Sequence, residues 1–316
     1  MPQNIKKLQA DFLEDLEIGQ GRSAKTVENY DRYLKRFCER QEVKTVSDIT
    51  SEAVREFRRW LNESAPRPGD IAEQGVSLAT QNYHLIALRQ FLRYLVKRDV
   101  RALSPDKVGL ARLPERDIDV LYPEEVDALL GAAAGEDLTT LRDRAILETL
   151  FSTGMRVAEV VSLNRDDVRE TSNELAVRGK GNKVRVVFFS PSAKEAVAVY
   201  IKERNDIDPA LFVRHRPASP WRGAKRGKSL GDLRLTPRSM QRMMKKYAAR
   251  AGLTKDITPH TLRHSFATDL LSNGADVRQV QQLLGHSSIT TTQAYTHLTD
   301  VHLKDVHRKF HRQRSN

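Results

Sequence analysis

Four short stretches from residue 154 onward carry side chains able to grip a phosphodiester without a metal. In Gly154-Met155-Arg156-Val157-Ala158-Glu159 an arginine follows a glycine at a point where a new helix can start, so that free backbone N–H groups stand beside a guanidinium. His260-Thr261-Leu262-Arg263-His264 comes directly after Thr258-Pro259, a helix start, and the i,i+3 spacing puts the His260 imidazole and the Arg263 fork on one face. Leu284-Gly285-His286 closes one helix where Ser287 and Ser288 open the next. Tyr295 stands nine positions further on, inside Ala294-Tyr295-Thr296-His297. Each of these has an ordinary explanation when taken singly: a surface arginine, a solvated helix face, a capping histidine, an amphipathic tyrosine.

Their joint occurrence in this order points elsewhere. The set Arg156, Lys180, His260, Arg263, His286 and Tyr295, in Gly-Met-Arg, His-x-Leu-Arg-His, Leu-Gly-His and Tyr-Thr-His contexts, resembles the tyrosine recombinase (phage integrase) family over the whole chain. Within that family it is most similar to the bacterial and archaeal Xer recombinases. The resemblance implies a clamp on double-stranded DNA, with an N-terminal helical core-binding (SAM-like) domain on one side and a catalytic domain on the other. It also implies a homo- or hetero-tetramer of protomers on two specific recombination sites.

The same resemblance implies that Tyr295 is the nucleophile and forms a 3′-phosphotyrosyl intermediate. Arg156 and Arg263 hold the scissile phosphate, with His286 adding a hydrogen bond. A tyrosine hydroxyl titrates near pH 10, so it needs help in losing its proton, which falls to His260. Lys180, the hairpin lysine, protonates the departing 5′-oxygen. Two arginines and a histidine meet the charge that develops on the non-bridging oxygens, so no cofactor and no metal is expected. Glu159 takes the acidic position that follows the first arginine and orients its neighbours rather than reacting, while His264 is either a supporting or a purely structural residue.

Those side chains need elements to hold them. The hydrophobic pattern gives a mostly α chain of two domains, an N-terminal helical bundle and a C-terminal α+β domain with a small β-hairpin: 1–105, a linker over 106–119, and 120–316. Four amphipathic helices fill the first hundred residues: Ile5, Leu8, Phe12 and Leu16; Val27 to Phe37 behind a Ser23 cap; Val54 to Leu61 after Thr50; Leu85 to Leu95 from near Ser77. Pro123 at a first helical position and the run from Leu141 to Phe151 open the second domain. Residues 174–178 and 184–189 read as strands joined by a glycine-bearing loop that contains Lys180. Helices follow over 192–204, 237–250, 259–273, 276–284 and 288–297.

Composition agrees with a DNA partner. The 316 residues carry a net charge of +12, and the stretch from Phe212 to Arg250 alone holds twelve Lys and Arg against Asp232. No apolar run approaches the ~18 residues that would span a bilayer, and the charged start is unlike a signal peptide, so a cytoplasmic protein is expected. A single cysteine, Cys38, forms no internal disulfide and is expected simply to pack. The loops 64–76 and 213–235 look longer than in lean Xer proteins. The tail from His302 to Asn316 interleaves Leu303, Val306 and Phe310 with basic residues, which suits docking on a neighbouring protomer. The readings left beside Xer-type dimer resolution are the integrase or transposase of a mobile element, a type IB topoisomerase, and a DNA-binding module with a decayed site.

Overall fold

The computed structural model describes residues 4–63, 76–114, 119–168, 172–179, 183–215 and 233–285. It divides into two compact units between Arg116 and Asp117. The helix expected over 288–297, much of the loops 64–76 and 213–235, and the tail lie outside the described residues.

The first unit holds α1 (Ile5–Glu14), α2 (Ala24–Arg40), α3 (Ser51–Glu63) and α4 (Leu78–Val96). Ser23, Thr50 and Ser77 each accept a backbone N–H in the first turn of α2, α3 and α4, which meets donors that a helix start leaves without partners. The apolar stripes meet in a core around Phe12, Phe37, Phe57 and Phe91, with Phe12 and Phe91 rings 5.4 Å apart and Phe37 edge-on to Phe57 at 5.1 Å. Leu16 reaches that core, as its helical spacing from Phe12 anticipates, but not within a regular helix. Regular α geometry stops at Glu14, one wider π-turn over Asp15–Gly19 carries the buried Leu16, and Gly21 follows at φ +60°. Part of the stretch read as a linker also belongs here: Val108 is fully buried in this core, and Asn82 exchanges two hydrogen bonds with the backbone of Ala111.

The second unit comprises α5 (Pro123–Gly131), α6 (Leu138–Thr153), α7 (Val157–Ser162), β1 (Glu174–Arg178), β2 (Val184–Phe188), α8 (Pro191–Glu203), α9 (Pro237–Arg250), α10 (Pro259–Ser272) and α11 (Val277–Leu284). Helix α6 is its axis. Ala145, Ile146, Leu147 and Leu150 are fully buried, and the helix packs on α8 and α10, so apolar and small residues surround it instead of forming one stripe. The strands form an antiparallel hairpin in which Glu174 faces Phe188 and Arg178 faces Val184. Its inner face buries Leu175, Val177 and Val187. A satellite core of Ala267, Leu271, Val280 and Leu284 seats α11 on α10.

Candidate active site

The turn after α6 is where the site begins. Gly154 ends that helix in the left-handed region at φ +57°, a conformation that L side chains rarely adopt, and its N–H donates back to the Leu150 carbonyl. A Cβ at this position would fall 2.4 Å from Phe266 Cδ1. Two residues later Arg156 opens α7, as the glycine-arginine spacing predicts. The arginine's own backbone N–H is already taken: Arg156 N donates to Glu159 Oε2 at 2.8 Å. The arginine's anion-binding capacity therefore resides in its guanidinium, whose side chain is 31% exposed.

Thr258 caps α10 by accepting from Thr261 N, Pro259 supplies the first helical position, and Arg263 follows one turn inside. Arg263 is almost wholly buried. Its Nη1 donates to the Gly154 carbonyl at 2.5 Å and its Nη2 to the Leu284 carbonyl at 2.7 Å. One guanidinium thus ties the turn before Arg156 to the helix end before His286. His260 lies on the solvent side of α10, and atoms packed around the ring together with the charges of Arg263 and Arg156 hold its pKa below the usual imidazole value. Its ring is therefore neutral near pH 7 and can accept a proton. His264, one turn on and partly buried, is pushed down to about 4 by burial and by His260 and Arg263, so it is an uncharged packing partner at neutral pH.

Glu159 is 6% exposed at the centre of the arrangement. Burial raises its pKa, but hydrogen bonds from Arg185 and Arg156 outweigh burial and leave it below the usual carboxylate value. Arg185 grips it with both arms, Nη1 to Oε1 at 2.9 Å and Nη2 to Oε2 at 2.7 Å, while Arg156 Nη1 reaches Oε1 at 3.1 Å. Arg185 Nε also donates to the Leu283 carbonyl at 3.0 Å. Sequence reasoning missed Arg185. The available signal was strand parity, because Arg185 shares its face of β2 with the buried Val187, an unusual place for a charge.

The structure thus brings Arg156, His260 and Arg263 together with Glu159. Lys180, His286 and Tyr295 lie outside the described residues, although the residues before the first two are placed. Gly179 stands against Glu159 and Arg185, and Gly285, at φ +65°, stands against the Arg185 stem. The basic stretch before α9 is partly structural: Arg234 donates to the carbonyls of Val161 and Leu163 and to Asn164, bracing α7. Among the described residues, no helix is long and apolar enough to cross a membrane.

Residues 119–302 match the phage integrase family, and residues 10–99 match its N-terminal SAM-like domain. The tyrosine recombinase XerD of Corynebacterium glutamicum is 39% identical over 315 residues, covering 95% of this chain and 96% of its own. A crystal structure of XerA recombinase aligns with a TM-score of 0.52 at 28% identity, over 98% of this chain and 99% of the other. The XerH site-specific recombinase bound to its palindromic difH substrate shares the fold, with a TM-score of 0.67 at 21% identity over 89% and 78%. The chain belongs to the phage integrase family of tyrosine recombinases.

Proposed function

We propose that this chain is a Xer-type site-specific recombinase that cuts a bound duplex through Tyr295 and rejoins it to a strand from a second site. The observation that carries the reading is the convergence of Arg156, Arg263 and a neutral His260 on the turn at Gly154. In the reaction the Tyr295 hydroxyl oxygen attacks the scissile phosphorus and the bond to the 5′-oxygen breaks. His260 takes the phenolic proton, and Lys180 gives a proton to the leaving oxygen. Arg156, Arg263 and His286 stabilise the charge on the non-bridging oxygens. The 3′-phosphotyrosyl linkage conserves the energy of the phosphodiester, so a 5′-hydroxyl from the partner duplex reverses the step without ATP. Two strand exchanges through a Holliday junction, by four protomers on two sites, complete recombination in the cytoplasm. Relatives named as Xer recombinases at 33–39% identity support dimer resolution over the integrase reading.

A plasmid with two direct copies of the site that the protein selects from a random-sequence pool tests the reading. The expected outcome is two smaller circles, formed in excess EDTA and without nucleotide. Relaxation of supercoils with no exchange would assign the chain to topoisomerase chemistry instead.

A further inference from the structure

Glu159 faces two arginines, and how its charge is shared between them decides what Arg156 can do. Arg185 is 9% exposed at its side chain and holds both carboxylate oxygens, whereas the Arg156 guanidinium touches one of them at 3.1 Å and keeps about a third of its side chain open to solvent. A bidentate guanidinium–carboxylate pair is the strongest arrangement open to these groups, so the buried pair is Glu159 with Arg185, and it is neutral. Arg156 then contributes an uncompensated positive charge. Arg185 cannot easily leave, because its Nε is held on the Leu283 carbonyl and its stem runs past Gly285, where even a Cβ would come within 2.9 Å of its Cδ.

We propose that Arg185 is a positioning residue that keeps Arg156 available to the scissile phosphate by occupying Glu159. Remove the Arg185 charge, and the buried carboxylate has one guanidinium left to satisfy it. A buried carboxylate without a partner is costly, so Arg156 swings onto it with both arms, and its charge is cancelled at the point where phosphate should meet it. The carboxylate itself then becomes the inhibitor of the site. This inference rests on the reading of Arg156 as a phosphate ligand.

The structural consequence is an unusual pattern of suppression. R185Q should cleave a nicked duplex carrying the selected half-site about 100-fold more slowly than wild type, the scale of losing one charge-stabilising donor. Adding E159Q to R185Q removes the competing carboxylate and should restore at least about ten-fold of that loss, since the amide still caps the Arg156 N–H. A residue that merely supports the fold also gains when both partners of its buried ion pair are removed, but it regains cleavage only as far as it regains stability, so melting temperatures are read beside the rates. R185K keeps a cation beside Glu159 and should lose less than about ten-fold, which retains a test if R185Q folds poorly by thermal melting.

Single-turnover cleavage of wild type, R185Q, R185K, E159Q/R185Q and R156A decides the matter. Suppression by E159Q at a temperature where both R185Q and the double variant are fully folded, together with retained activity in R185K, supports the proposal. A double variant no faster than R185Q, or an R185K as impaired as R185Q, overturns it. If R156A cleaves at the wild-type rate, the phosphate-ligand reading has failed and the proposal falls with it.

Discussion

Substituting Gly154 by alanine should destabilise the second unit and disturb the site together, and the size of the effect can be worked from local geometry. The residue sits at φ +57°, where a Cβ costs about 1 to 2 kcal/mol against the following carbonyl. The new methyl would also stand 2.4 and 2.7 Å from two Phe266 ring carbons and 3.1 Å from Leu284 Cδ2, so the ring must move within packed surroundings, at about 1 to 3 kcal/mol. The sum is roughly 3 kcal/mol. For a unit of this size that lowers the melting temperature by about 6 to 12 °C. Gly252→Ala is the control, because it has φ +71° but nothing within 4 Å of the added carbon, so it carries the backbone cost alone, about 1 to 2 kcal/mol. Displacing Gly154 also moves the carbonyl that holds Arg263, so single-turnover cleavage should fall further than stability explains. Thermal unfolding of both variants decides the issue: a G154A no less stable than G252A, with undiminished cleavage, would refute the packing argument.

Two further perturbations reach other parts of the account. His264 titrates at about 4 in the fold against an ordinary 6.5, so between those values the unfolded chain binds a proton that the folded chain refuses, and stability must fall as pH drops through that window. The full effect is at most about 3 kcal/mol, less because the ring is partly exposed. Urea unfolding at pH 7 and 4.5 should show His264→Asn losing less stability than wild type, and equal losses would contradict the assignment. Truncation after Thr299 should leave binding to a single site intact in gel shifts while impairing synapsis of two sites, and normal recombination by the truncated chain would make the tail a solvated extension.

Helix starts were legible in the sequence because caps are local chemistry: Ser23, Thr50, Ser77, Thr258 and the prolines at 123 and 259 act on the next three residues. The hairpin was legible because β-rich segments flank a glycine-bearing loop. What could not be read was anything set by contacts distant in sequence. The π-turn over Asp15–Gly19, which carries the expected core residue Leu16, depends on the bundle it packs into. Val108 and Ala111 looked like a linker because their partners are the first unit's core and Asn82. In the site, motif spacing identified Arg156, His260 and Arg263, but Arg185 joins Glu159 across 26 positions and Leu283 across 98, and no local pattern encodes that.

The proposed chemistry stands on Tyr295 carrying the cut strand. Trapping on a nicked duplex whose cleavage releases a short fragment, and so prevents religation, tests this. Denaturing electrophoresis of wild-type protein should show a DNA–protein adduct stable to boiling in detergent, and peptide mapping should place the phosphodiester on Tyr295. Tyr295→Phe, which keeps the ring and loses the attacking oxygen, should bind the same duplex in a gel shift with unchanged affinity and give no adduct. A covalent adduct from the phenylalanine variant, or an adduct mapped to another residue in the wild type, would contradict the account.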